Sequence, residues 1–190
     1  MPMPRVTIGQ IAADARRALE ALERQANALE AFADAVIDVL RAGGKIMTAG
    51  NGGSAAEALH LAEELVGRYH RARRPLAAMS LVADPTVMTC ISNDFGFEVV
   101  FARQIEALGR RDDALVVLST SGRSANIIAA LNAARGIGMQ TLGLLGPADS
   151  PAHDLCDLAI TVDGHAAARV QELHLLVIHF LLERIDAEFA

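Results

Sequence analysis

The sequence predicts an α/β chain: a three-layer, doubly wound, five-stranded parallel sheet with helices ahead of its first strand. From residue 45 onward, short apolar runs alternate with amphipathic segments, the pattern of strands joined by right-handed helical crossovers. The strand-like runs are apolar nearly throughout rather than at every second position, as expected when a sheet is covered on both faces. Before residue 45 the apolar residues recur at three- and four-residue steps, the spacing of one helix face.

Taken in order, Ile8, Ile11, Ala12, Ala15 and Leu19 mark a first helix, with Arg and Glu filling many other positions. A second run over 29–40 stops at Gly43-Gly44, a helix C-cap signal. Residues 1–42 therefore read as a helical arm or hairpin that packs on a neighbour, and 43–190 as the α/β core with a closing helix. Strands are predicted at 45–49, 76–81, 114–118, 140–145 and 158–162. Helices are predicted between them at 55–66, 85–91, 97–108, 124–135 and 152–156, and a long one over about 167–188. The length, 190 residues, suits one domain with a full core.

Composition narrows the function. The hydrophobic fraction of 52% is largely Ala, Leu, Ile and Val, with no Trp and a single Tyr, so the core is aliphatic. Helix faces buried between subunits are a second use for that content. The net charge of −6 argues against nucleic acid, whose phosphates favour a basic face. The basic cluster Arg68-Tyr69-His70-Arg71-Ala72-Arg73-Arg74 reads first as a solvated loop, and alternatively as a source of one arginine for an anionic substrate. Cys90 and Cys156 stand far apart in apolar surroundings, with buried, reduced thiols as the expectation. The first ten residues lack the apolar core of a signal peptide, and the apolar stretch near the C-terminus is broken by His174 and His179. The expectation is a cytoplasmic protein with no membrane segment.

Ligands of doubly wound sheets bind outside the carboxyl ends of the strands. Two loops there are informative. After the first strand comes Gly50-Asn51-Gly52-Gly53-Ser54, running into a helix; glycines permit close backbone approach to a ligand, and Ser54 is placed to cap the helix. A plain structural turn explains such a loop equally well. After the third strand comes Ser119-Thr120-Ser121-Gly122-Arg123-Ser124. An ordinary cap needs one hydroxyl, so four around one glycine favour a phosphate cradle. The Gly-Lys-Ser/Thr end of a nucleotide P-loop is missing, which points to a small phosphorylated metabolite.

Ser119-Thr120-Ser121-Gly122-x-Ser124 after a central strand resembles the sugar-phosphate loop of SIS (sugar isomerase) domains, whose fold is flavodoxin-like. Gly50-Asn51-Gly52-Gly53-Ser54-Ala55-Ala56, His60-x-x-x-Glu64, Gly67-Arg68-Tyr69, Asn93-Asp94-Phe95-Gly96 and Gln171-Glu172-x-His174 resemble the phosphoheptose isomerases within that family. The match runs from the first helices to the last. It implies a single SIS domain over 1–190 that converts sedoheptulose 7-phosphate to D-glycero-D-manno-heptose 7-phosphate, on the way to surface polysaccharide (lipopolysaccharide) heptose. It also implies a homotetramer with active sites at subunit interfaces and one zinc per subunit. By motif match the zinc ligands are His60, Glu64, Gln171 and His179. Substrate contacts come from Asn51, Gly52, Gly53, Glu64, Asn93, Asp94, Ser119, Thr120, Ser121, Ser124 and Gln171. The chain departs from the enteric pattern at Ala55, where those enzymes can carry His, and at Ala168, where they carry an acidic residue. If that carboxylate assists ring opening, this chain must open the ring otherwise.

On the residues alone, His60 and Glu64 are four apart on a predicted helix and share a face, which suits two ligands on one zinc but also an uncommitted surface pair. Gln171 and His179 are eight apart, about 12 Å along a helix. Meeting one cation requires side chains that lean together or a second copy of the helix, and the reading favours a site assembled across subunits. His174 reads as a structural histidine in the subunit contact; His153 and His165 carry no evident role. Glu64 and His179 are assigned as the acid/base pair that an aldose–ketose proton transfer through an enediol(ate) needs. The rival is a non-catalytic binding protein of the same fold, like the DnaA initiator-associating protein. Such relatives lose the Glu and the final His that Glu64 and His179 supply here.

Overall fold

A computed structural model describes residues 5–190, so the first four residues of the N-terminal stretch read above lie outside the described residues. The chain opens with α1 (Ile8–Glu23) and α2 (Ala26–Arg41). Thr7 caps α1 through a capping box with Gln10, which satisfies donors that would otherwise face water unpaired. Gly43, at φ 86°, then turns the chain into β1, and a Cβ on Gly44 would stand 2.1 Å from the carbonyl oxygen of Asp112. Only glycine fits there.

Then follow β1 (Ile46–Gly50), α3 (Gly53–Val66), β2 (Ala78–Ser80), α4 (Pro85–Phe95), a 3-10 turn (Phe97–Val99), α5 (Ala102–Leu108) and β3 (Ala114–Ser119). The remaining elements are α6 (Ala125–Ile137), β4 (Gln140–Leu145), α7 (Pro151–Leu155), β5 (Leu158–Thr161) and α8 (Ala167–Phe189). All strands are parallel, in the order β2-β1-β3-β4-β5. Connections therefore reverse direction between β1 and β3, and this is where such sheets open a crevice for ligands.

Alternate strand residues feed two cores, one on each face of the sheet. Ala114, Val116 and Leu118 join α1, α2, α3 and α8, whereas Leu115 and Val117 join α5, α6 and α7. The predicted three-layer parallel sheet is what the chain forms. Among the described residues no helix is long and apolar enough to cross a membrane.

Four details add to or depart from the sequence expectation. The N-terminal hairpin packs on its own chain: α2 buries Phe32, Ala33, Val36, Ile37, Val39 and Leu40 in the core. The Gln25 side-chain amide between α1 and α2 pairs with both the N–H and the C=O of Thr161 on edge strand β5. The segment 97–108 is not one helix, because the left-handed Gly96 starts a separate 3-10 turn before α5. Finally, Cys90 is exposed rather than buried, since α4 buries no residue fully. Cys156 is half-buried, and burial pushes its thiol up to about 12, so it stays protonated.

Candidate active site

The loops after β1 and β3 meet across the switch point. Asn51, following β1, and Asn126, in the first turn of α6, exchange side-chain amides through two 2.9 Å hydrogen bonds. Asn126 is buried and was not singled out from sequence; the available signal was a polar residue on the inner face of a helix that otherwise buries Ile127, Ala130 and Leu131.

Gly52, at φ 57°, forms the N-cap of α3 with no side-chain hydrogen bond to the helix, so Ser54 lies inside the first turn and does not cap it. In the β3–α6 loop, Ser119 Oγ accepts from Gly122 N–H at 3.0 Å and Ser121 Oγ accepts from Arg123 N–H at 3.2 Å. Those two hydroxyls shape the loop. Thr120 and Ser124 make no side-chain hydrogen bond within it, and Ser124 leaves the α6 N-terminus without a side-chain cap. Backbone donors and hydroxyls left free at a helix N-terminus are groups that suit an anion.

Helices α3 and α8 run side by side in the same direction, which the contacts along their seam establish. A Cβ on Gly53 would come within 2.4 Å of Gln171 Nε2. One turn on, Glu57 Oε2 and His174 Nδ1 are 4.0 Å apart. One further turn on, His60 Nε2 and His179 Nε2 are 3.3 Å apart. The structure therefore brings His179 to His60 inside one chain. Gln171 is not with them. It sits beside the Gly52-Gly53 loop, seven residues of α3 or about 10 Å away from the histidine pair.

His60, Glu63 and Glu64 each present a ligand atom within 4.8 Å of the others. Glu63 was overlooked from sequence although it sits at i+3 from His60; its carboxylate is 3.3 Å from His60 Nδ1. That is the position from which an acceptor orients a ligand imidazole and leaves Nε2 free. In a tetrahedron with bonds of about 2.0–2.1 Å, two nitrogens are about 3.3–3.4 Å apart. The 3.3 Å between the histidine Nε2 atoms fits that edge, and the donor set of imidazoles and carboxylates suits zinc. Within one chain His60 is the common point: its ring stands with the carboxylates of Glu63 and Glu64 and, across the seam, 3.3 Å from His179, while Gln171 as it stands does not reach.

His174 is fully buried within the chain rather than placed at a subunit contact, and neither of its ring nitrogens has a hydrogen-bond partner. Burial pushes it down to about 4 and pushes Glu57 up to about 7. Asn93 and Asp94 are exposed at the last turn of α4, where the Asn93 amide donates to Asp94 at 2.8 Å; neither bonds to the two loops.

Comparison with known proteins identifies the family. The sequence profile of the SIS domain family matches residues 10–146. The chain is 47% identical over 165 residues to a phosphoheptose isomerase of Roseiflexus sp. (strain RS-1), covering 87% of this chain and 84% of that protein. Among solved structures it superposes on the phosphoheptose isomerase GmhA of Neisseria gonorrhoeae with a TM-score of 0.89 and 37% identity, covering 95% of this chain and 97% of that one. For a phosphoheptose isomerase of Francisella tularensis the TM-score is 0.87 and the identity 32%, with 96% and 100% covered.

Proposed function

The chain belongs to the SIS domain family and is an isomerase, and from that premise we propose that it interconverts sedoheptulose 7-phosphate and D-glycero-D-manno-heptose 7-phosphate. The observation that carries this reading is the α3–α8 seam, with the Gly52-Gly53 loop beside one end and the His60–His179 pair beside Glu64 toward the other. About 10 Å of α3 separate the Gly53–Gln171 contact from the histidine pair, which leaves the carbon chain of a sugar room to lie along the seam.

In this reading Thr120, Ser124 and the α6 N-terminus take the phosphate, with Ser119 and Ser121 shaping the loop around it. Asn51, Gly52, Gly53 and Gln171 line the carbon chain, and Asn93 and Asp94 complete the substrate contacts. Glu64 and His179 remove a proton from one of C1 and C2 and return one to the other, through an enediol(ate). A carboxylate and an imidazole suit that exchange because their affinities for protons differ near neutral pH. Zinc held by His60, Glu64 and His179 would polarise the sugar carbonyl and stabilise the negative charge developing on its oxygen. Gln171 from a second copy of α8 is the natural fourth ligand. A homotetramer with sites at subunit interfaces is supported by the apolar residues left exposed on α1 and α8, namely Ile8, Ile11, Leu19, Leu175 and Leu176. The product would enter heptose synthesis for surface polysaccharide in the cytoplasm.

Purified protein is expected to interconvert the two sugar phosphates, to contain zinc when prepared without chelator, and to slow when chelated. Glu64→Gln and His179→Ala are each expected to abolish turnover with the fold intact by circular dichroism. Full activity of Glu64→Gln would remove that carboxylate from the reaction. A folded, zinc-free protein inert toward both sugars would assign the chain to the binding proteins of this fold.

A further inference from the structure

The basic cluster 68–74 is exposed at Arg68, His70, Arg71, Ala72 and Arg74, as a solvated loop would be, but not at Arg73. Arg73 has no exposed side-chain surface, and its partner Asp186 on α8 is only 4% exposed. Arg73 Nε donates to Asp186 Oδ1 at 3.0 Å, while its two terminal nitrogens donate to the carbonyls of Leu65 at 2.9 Å and Glu64 at 2.6 Å. Those carbonyls belong to the last turn of α3, whose final C=O groups have no partners within the helix. The other oxygen of Asp186 accepts from the backbone N–H of both His70 and Arg71 at 2.8 Å. Burial works against the Asp186 charge, but these backbone donors and the Arg73 guanidinium outweigh it and hold the carboxyl below its usual range.

Asp186 stands seven residues, two helical turns, after His179 and so lies on the same face of α8. Between them the segment lays the Tyr69 ring on that of His179, with centroids 5.7 Å apart and planes inclined by 24°. One short segment therefore grips the backbone of Glu64 on α3, the ring of His179 on α8, and a carboxylate that ties both grips together. A buried ion pair adds little net stability over apolar packing, because desolvation offsets its attraction. Its fixed geometry is the more informative property.

We propose that segment 67–75 is a brace that sets the separation of Glu64 and His179, with Arg73 and Tyr69 as its positioning residues. The proposal rests on the reading of Glu64 and His179 as the acid/base and metal-holding pair. Neither Arg73 nor Tyr69 need touch the substrate. Their effect falls on the chemical step and on retention of the cation, and binding of the sugar phosphate at the far end of the seam is left alone.

The test uses the full-length, zinc-loaded protein and four variants: Arg73→Lys, Tyr69→Leu, Tyr69→Phe and Glu64→Gln. Steady-state kinetics, zinc retention against a competing chelator and thermal melting are measured for each. Arg73→Lys keeps the charge opposite Asp186 but lacks the guanidinium fork needed to reach both carbonyls. It and Tyr69→Leu are expected to lower kcat about tenfold and weaken zinc retention about tenfold, the size of effect typical of groups that orient ligands. KM should stay within twofold. Tyr69→Phe, which keeps the ring, is expected to restore both properties. Folded Tyr69→Leu with kcat and zinc retention within twofold of the parent overturns the brace, as does a loss of activity that follows the unfolded fraction alone. Should Arg73→Lys fail to fold, the Tyr69 pair still decides. An inactive Glu64→Gln beside an unaffected Tyr69→Leu sinks the brace only, whereas a fully active Glu64→Gln overturns both readings.

Discussion

Replacing Gly53 with alanine tests whether the α3–α8 seam positions the substrate. The new Cβ would stand 2.4 Å from Gln171 Nε2, 2.9 Å from its Cδ and 3.0 Å from its Oε1. Ordinary contact for a methyl group is about 3.5–4.0 Å, so the amide must retreat by about 1 Å. The obstacle is the end of a flexible side chain, not backbone, so rotation of Gln171 relieves the clash at small cost in stability. Gly53 is also the first residue of α3, where alanine gains up to about 1 kcal/mol in helix preference. Stability should therefore change by less than about 1 kcal/mol, read as a melting shift of about 4 °C or less. Activity should not be spared. A displacement of 1 Å in a group that positions a substrate costs about a hundredfold, and kcat/KM for the sugar phosphate is expected to fall by about that factor. Coupled enzymatic detection of the product, run beside a thermal melt on the same preparation, measures both. Unchanged kcat/KM in a folded Gly53→Ala would refute the placement of Gln171 against the substrate loop.

Two further outcomes follow from buried polar groups. Glu57→Gln is expected to stabilise the protein at pH 8 by about 1–2 kcal/mol and to leave it unchanged at pH 4. The wild-type carboxyl, raised from 4.5 to about 7 by burial, gives up stability as the pH climbs through that window. The full shift is worth about 3 kcal/mol, discounted here for partial contact with solvent. Equal gains at both pH values in denaturant melts would refute that origin. Asn126→Ala removes the partner of a 2.9 Å amide pair, which should cost about 1–2 kcal/mol. Because the two phosphate-side loops then lose their tie, KM should rise about tenfold, and an unchanged KM in kinetics at saturating zinc would show that the loops hold their places without it.

Much of the fold was legible because periodicity reports burial. The apolar run at 114–118 and the largely apolar one at 140–145 read as strands covered on both faces, and they lie in β3 and β4. The loops after β1 and β3 were legible as ligand loops because a doubly wound sheet places those ends together. His60 and Glu64 were readable as neighbours through their four-residue spacing. Less legible were features that local pattern leaves ambiguous. The apolar stripe of α2 looks the same whether it faces another subunit or the chain's own core, and Gln25 gives no hint that it will pair with Thr161 across 136 residues.

What the sequence alone determined was the set of chemical groups and the faces they occupy: a hydroxyl-rich loop at a strand end, and two imidazoles, a carboxylate and a glutamine on predictable helices. Which of them meet was decided by the packing of α3 against α8. That register seats Gln171 against a glycine, shuts His174 and Glu57 inside the seam and brings His179 within 3.3 Å of His60. The physical reason is that a helix's own period fixes only where its side chains point, while the offset between two helices depends on how their surfaces interlock. Residues 119 positions apart have no shared local pattern through which that offset could be expressed.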